Sequence, residues 1–137
     1  VEDQEINDLT KSVRFAHRSG EQEVLILGAT GLREDHTLGN ISLLMDYAPL
    51  FRRIEMLSDY GIFTPLRQTT TLASDPGTQV SLFSLAPSGT ISTTGLRWPI
   101  RDRRLTAWWQ GTLNEATGDN FTVTLSPEAR VIVYRTF

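Results

Sequence analysis

The chain has 137 residues, of which 39% are hydrophobic and 21% charged, so it carries enough apolar material to bury a core and is not of disordered composition. Its net charge of −3 argues against nucleic acid or an anionic membrane surface as a partner. The absence of cysteine excludes disulfides and thiolate metal sites, and two histidines leave oxygen ligands, hence Mg²⁺, for any metal. No apolar run approaches the roughly 20 residues that span a bilayer and no signal peptide is visible, so the expectation is a cytoplasmic protein of one domain, or of a small domain with part of another. Because it begins at Val1, the chain reads as a fragment.

Asn7 is placed to cap a first helix that carries Leu9, Val13 and Ala16 on one face and stops at Gly20. Gln22 to Leu27 reads as a buried strand, and as a parallel one, because its apolar run is continuous rather than alternating. A second helix is expected from Thr37, with Leu38, Ile41, Leu44 and Met45 inward, ending near Ala48 because the residue before Pro49 avoids helical geometry. Past about residue 52 the helical period disappears. Short runs rich in Thr, Val, Ile, Phe and Trp follow, divided by turn signals at 59–61, 75–77, 87–89, 117–119 and 126–127. Val80 and Leu82, and then Phe121, Val123 and Leu125, alternate with period two. The expected class is therefore α+β: a short helix–strand–helix α/β segment over 1–50, then an antiparallel β-sandwich over 51–137, with the boundary near 49–54.

The chemistry concentrates in the turn between the first strand and the second helix. Gly28, Gly31, Arg33, Asp35 and His36 gather backbone amides, a guanidinium and an acid at a helix start, which suits a phosphate-bearing ligand. The same turn also reads as a plain connection in which Asp35 caps the next helix. Asp8 and Lys11 share one face of the first helix: the acid suits a Mg²⁺ ligand and the lysine a phosphate contact, or the pair is a helix-dipole acid beside a solvated base. His36 fits an acid, a base or a structural hydrogen bond. Trp98 offers a stacking surface for a flat cationic ring, or serves as a sandwich-core aromatic. Trp108 and Trp109 cannot share one side of a strand, so one is expected in the core and the other at an interface or an edge, while Arg101 to Arg104 reads as a solvated turn.

Three blocks together resemble the thiamine pyrophosphokinase family. Residues 3–11 resemble its Asp-Gln-x-x-Thr/Asn-Asp-x-x-Lys segment. Residues 28–40 resemble its Gly-x-x-Gly-x-Arg-x-Asp-His-x-Leu-x-Asn signature, the most specific of the three. Residues 94–100 resemble its Gly-Leu-Lys/Arg-aromatic-Pro-Leu segment. The resemblance implies transfer of pyrophosphate from ATP to thiamine, giving thiamine diphosphate and AMP, with Mg²⁺ as cofactor and a homodimer that holds thiamine between subunits. The 1–50 segment then corresponds to the C-terminal part of a Rossmann-like catalytic domain, and 51–137 to the thiamine-binding sandwich. By the same resemblance Asp8 is a catalytic residue and a Mg²⁺ ligand. Arg33 and Asp35 border the transfer site as catalytic residues, and Gln4, Lys11, Gly31, His36, Thr94, Trp98 and Asn114 bind substrate. The family's upstream paired-aspartate segment is not among these residues, so this stretch alone is expected to be inactive or nearly so. Leu113 stands where the family usually carries serine, which removes a hydroxyl from the pocket. The rival reading is a non-catalytic thiamine-binding sandwich module.

Overall fold

Leu9, Val13 and Ala16 line one side of the first helix because residues three and four apart share a face. In the computed structural model, which describes residues 8–31 and 33–137, that helix is α1 (Asp8–Arg18). Gln4 and the expected cap Asn7 lie outside the described residues. The helix stops as the glycine predicts. Gly20 takes a left-handed φ of +84°, its N–H donates to the His17 carbonyl and the Glu21 N–H donates to that of Ala16, the paired bonds of a glycine-terminated helix end. The chain then turns into β1 (Glu23–Ile26), crosses through α2 (Glu34–Tyr47) and a 3₁₀ turn at Ala48–Leu50, and enters β2 (Arg53–Leu57), which pairs in parallel with β1.

From there every pairing is antiparallel. β3 (Gly61–Leu66), β4 (Thr70–Ala73), β5 (Gln79–Ser84), β6 (Ile91–Thr94), β7 (Asn114–Glu115), β8 (Asn120–Leu125) and β9 (Val131–Thr136) complete the set, with a 3₁₀ turn at Trp108–Gly111 between β6 and β7. They form a six-stranded sheet in the order β1-β2-β3-β9-β5-β7 and a three-stranded sheet in the order β4-β8-β6. The first sheet therefore runs without interruption from the α/β segment into the sandwich. All five turn signals fall between or at the ends of strands.

Two cores follow from strand alternation. Val131 and Val133 point toward the second sheet and pack with Val80, Leu82, Phe121 and Val123; Ile132, between them, points the other way and packs with Val13, Leu44, Ile54 and Met56 under the helices. Three expectations need correction. The β1 run is not buried on both faces: Ile26 is buried, but Leu25 and Leu27 are exposed, because no described element covers that side of the strand. The second helix begins at Glu34 rather than Thr37, and Arg33 takes the N-cap position without a side-chain bond, so Asp35 lies inside the first turn and does not cap it. Leu38 is exposed, since the helix meets the sheet further along through Leu44 and Met45.

Candidate functional site

The backbone of the loop after β1 turns left-handed at two glycines among its described residues, φ +71° at Gly28 and +85° at Gly31. The Asn40 side chain donates to the Ala29 carbonyl at 3.1 Å and ties the loop to α2. The loop ends on Arg33, whose guanidinium meets the Asp35 carboxylate at 2.6 Å; the other Asp35 oxygen accepts the His36 backbone N–H at 2.9 Å. Both partners of the ion pair are mostly exposed, so each holds the other rather than being held by the fold. The arrangement leaves the guanidinium able to exchange a carboxylate for an incoming oxyanion.

Gly31 also lines a cavity of about 390 Å³, within the range of small-ligand sites. Thr30 and Thr37 flank it on the loop side, Ser58, Asp59 and Tyr60 come from the turn between β2 and β3, and Ser81, Phe63, Phe83 and Tyr134 form its sheet wall. Phe63 and Tyr134 are register partners on β3 and β9, with ring centroids 4.5 Å apart. The Tyr134 hydroxyl meets the Ser58 hydroxyl at 3.2 Å. Phe83 extends the wall to Trp108, whose ring meets it edge-on at 5.8 Å. The cavity is thus an aromatic slot with hydroxyls and one carboxylate at its rim.

A second cluster adjoins the slot. Asn114 is buried, and its amide brackets the backbone of Trp98, donating to the Trp98 carbonyl at 2.7 Å and accepting the Trp98 N–H at 3.2 Å. It also accepts the Glu115 N–H at 2.9 Å. The Trp98 ring is 54% exposed, so it is not a core aromatic, and the Arg97 guanidinium lies 4.7 Å from its centroid while pairing with Glu115 at 3.5 Å. Leu113 turns its side chain to solvent at φ +61°, and its N–H donates to the Ser81 hydroxyl at 3.2 Å. The Leu113 N–H thus links the start of β7 to the slot wall at Ser81, whereas Asn114, the register partner of Val80, belongs to the opposite face of the sheet. Trp108 and Trp109 are both exposed in the 3₁₀ turn, correcting the expectation of one core residue: they do not lie on a strand at all.

The remaining sequence candidates are more dispersed. Asp8 and Lys11 are exposed on the first turn of α1, and among the described residues no ion pair joins either to Arg33 or Asp35. Thr94 is exposed at the end of β6, and His36 is exposed on α2. Sequence reasoning missed Phe63, Ser81, Phe83 and Tyr134. In the sequence they are ordinary alternating strand residues, and only the pairing of β3, β9 and β5 gathers them opposite the loop.

A glycine loop running into a helix, set against an aromatic slot on an attached β-sandwich, defines a two-part protein of the α+β class. The family model described as the thiamin pyrophosphokinase catalytic domain matches residues 1–57, and that of the thiamin pyrophosphokinase substrate-binding domain matches residues 61–134. The chain belongs to the thiamine pyrophosphokinase family. It is 38% identical over 110 residues to thiamine pyrophosphokinase 1 of Oryza sativa subsp. japonica, covering 72% of this chain and 41% of that protein. It is 33% identical over 114 residues to thiamine pyrophosphokinase 2 of the same organism, covering 74% and 42%. The chain thus spans about two-fifths of the length of the curated relatives it matches. Its fold matches the crystal structure of thiamine pyrophosphokinase from Bacillus subtilis with a TM-score of 0.83 at 20% identity, covering 97% of this chain and 64% of that one.

Proposed function

We propose that this chain forms the acceptor-binding part, and one wall of the transfer site, of an enzyme that moves pyrophosphate from ATP to the hydroxyl of thiamine, yielding thiamine diphosphate and AMP. The observation that supports it is the Gly31-lined aromatic slot, with the exposed Trp98 held by Asn114 as a second aromatic face. Thiamine is flat and cationic, and an aromatic face with a nearby carboxylate suits such a ring. The family and the names of its relatives support thiamine as the acceptor, and an aromatic slot is in keeping with it.

In this reading Trp98 stacks on thiamine, displacing the Arg97 guanidinium from one face of the ring or using the other. Asn114 fixes the Trp98 backbone, and Gly31 opens the loop side of the slot. Arg33 leaves Asp35 to meet the polyphosphate, and Lys11 adds a second cation. His36, Thr94 and Gln4 complete the substrate contacts. Among the described residues no group of three or more acidic or histidine side chains gathers as a metal site. A single exposed carboxylate, Asp8, still fits Mg²⁺, which is commonly held by one or two carboxylates together with substrate phosphates. When bound, the ion would neutralise charge on the transferring group. The exposed Trp98, Trp108, Trp109 and Leu113 support a homodimer in which this edge faces a second subunit. No described helix is long and apolar enough to cross a membrane, in keeping with a cytoplasmic location in this reading.

The test is a calorimetric titration with thiamine. The folded chain should bind it, and Trp98→Ala should weaken binding by about 1 kcal/mol or more. A folded chain that takes up no thiamine overturns the reading. Thiamine binding with no AMP formed from MgATP, by the longer polypeptide that contains this chain, would instead favour the non-catalytic module.

A further inference from the structure

A cavity of about 600 Å³, larger than the slot, plays no part in the site above. It opens between β2–β3 and β4. Consecutive strand residues point to opposite faces, and this settles its position: Phe63 and Tyr134 line the aromatic slot, whereas Thr64 and Arg135, their immediate neighbours, line this cleft. The two cavities are thus on opposite faces of one sheet. The cleft also reaches Ala48–Arg53, which lead into β2, while the glycine loop departs from the other end of the parallel pair.

Four arginines, Arg52, Arg53, Arg67 and Arg135, line the cleft against one carboxylate, Glu55. Glu55 is buried and already divided among three partners. One oxygen accepts from Arg53 at 2.6 Å; the other accepts from the Thr64 hydroxyl at 2.5 Å and from Arg135 at 3.2 Å. Arg52 is tied to Glu23 at 2.6 Å, and Arg67 forms no ion pair among the described residues. Arg135 spends its two terminal nitrogens on Glu55, Thr64 and the Ala73 carbonyl, but its Nε–H is buried and meets no acceptor. Burial pushes this guanidinium below the ordinary arginine value; Glu55 pulls it up and Arg53 pushes it further down. A local excess of positive charge on a chain of net charge −3, walled by planar guanidiniums with a donor to spare, is the chemistry that recognises an oxyanion.

We propose that this cleft binds the phosphate group of a small molecule, at a site separate from the Gly31 slot. One phosphate oxygen would take the Arg135 Nε–H, and Arg67, exposed at the rim, would close on the group from the solvent side. The volume leaves room for an organic portion beyond the phosphate.

Amide chemical-shift titration of the isotope-labelled chain at low salt tests this, with inorganic phosphate in one arm and ribose 5-phosphate in the other. Saturable shifts should fall at residues 52–55, 64–72 and 135, and should persist there in Arg33→Gln whether or not phosphate also shifts 28–37. Tighter binding of ribose 5-phosphate identifies an organic phosphate as the ligand type, and equal affinity identifies phosphate itself. Arg67→Gln, a rim change that leaves the Glu55 cluster intact, should weaken binding about tenfold, as expected for the loss of one charge-assisted contact. Arg33→Gln should leave it unchanged. Shifts confined to 28–37, no saturable shift, or an affinity that Arg67→Gln does not alter would each overturn the proposal.

Discussion

Tyr47 shows how one side chain can report on packing. Its hydroxyl bonds to that of Thr10, joining α1 to the end of α2, and the residue is almost fully buried. Burial raises the phenol above its ordinary value near 10; the Thr10 bond opposes this, Asp46 adds to it and Arg14 opposes it. The fold therefore prefers the neutral phenol more strongly than the unfolded chain does. That contribution is complete below about pH 10 and is lost as pH climbs through the raised folded value. Urea midpoints should fall across this alkaline range, and Tyr47→Phe should flatten the fall while losing about 1 kcal/mol at neutral pH with the hydrogen bond. An equally steep alkaline decline in the variant would remove Tyr47 from the account. Other decisive residues are polar groups whose role depends on distant partners. Asn114 reads as a pocket residue in the sequence, and in the fold its amide oxygen accepts the Trp98 and Glu115 N–H groups while its nitrogen donates to the Trp98 carbonyl.

Among the elements, the 3₁₀ turn at Trp108–Gly111 was the least legible. Two adjacent tryptophans imply opposite strand faces, but the segment leaves extended geometry. The Gln110 side chain accepts the Thr106 and Ala107 N–H groups at 2.8 and 3.0 Å and closes the turn on itself. The turn rests directly on β5. A Cβ at Gly111 would lie 2.3 Å from the Leu82 carbonyl oxygen and 3.0 Å from the Leu105 side chain, and backbone in a central strand cannot move aside. Gly111→Ala should lift the turn, destabilise the chain by about 1–3 kcal/mol and separate Trp108 from Phe83. Urea unfolding together with a thiamine titration of the variant checks both effects; unchanged stability would mean that the turn is not seated as described. By contrast, α1, the parallel pairing of β1 and the strands at 79–84 and 120–125 were plain in advance, because each is written in local periodicity and ended by a local signal such as Gly20.

At the scale of the molecule, the six-stranded sheet carries both parts of the fold. β9 gives Ile132 to the core under the helices and Val131 and Val133 to the core between the sheets, so neither core survives loss of that strand. The chain should unfold in one transition. Tryptophan fluorescence, which reports on Trp98, Trp108 and Trp109 in the sandwich, and far-ultraviolet dichroism of α1 and α2 should give the same urea midpoint. Two separated midpoints would show that the parts fold independently.

The same scale separates what the sequence determined from what tertiary structure decided. The α+β class, the glycine loop with Arg33 and Asp35, and the family motifs could be read directly, since helix stops, strand alternation and turn chemistry act over a few residues. Burial could not. The apolar run of β1 leaves Leu25 and Leu27 exposed, and Trp98 stands on the surface of the sandwich rather than in its core. The aromatic slot and the arginine cleft arise from strand partners far apart in sequence, Phe63 with Tyr134 on one face and Glu55 with Arg135 on the other. Local sequence fixes which way neighbouring side chains alternate. Only the order of the strands in the sheet decides which of them meet.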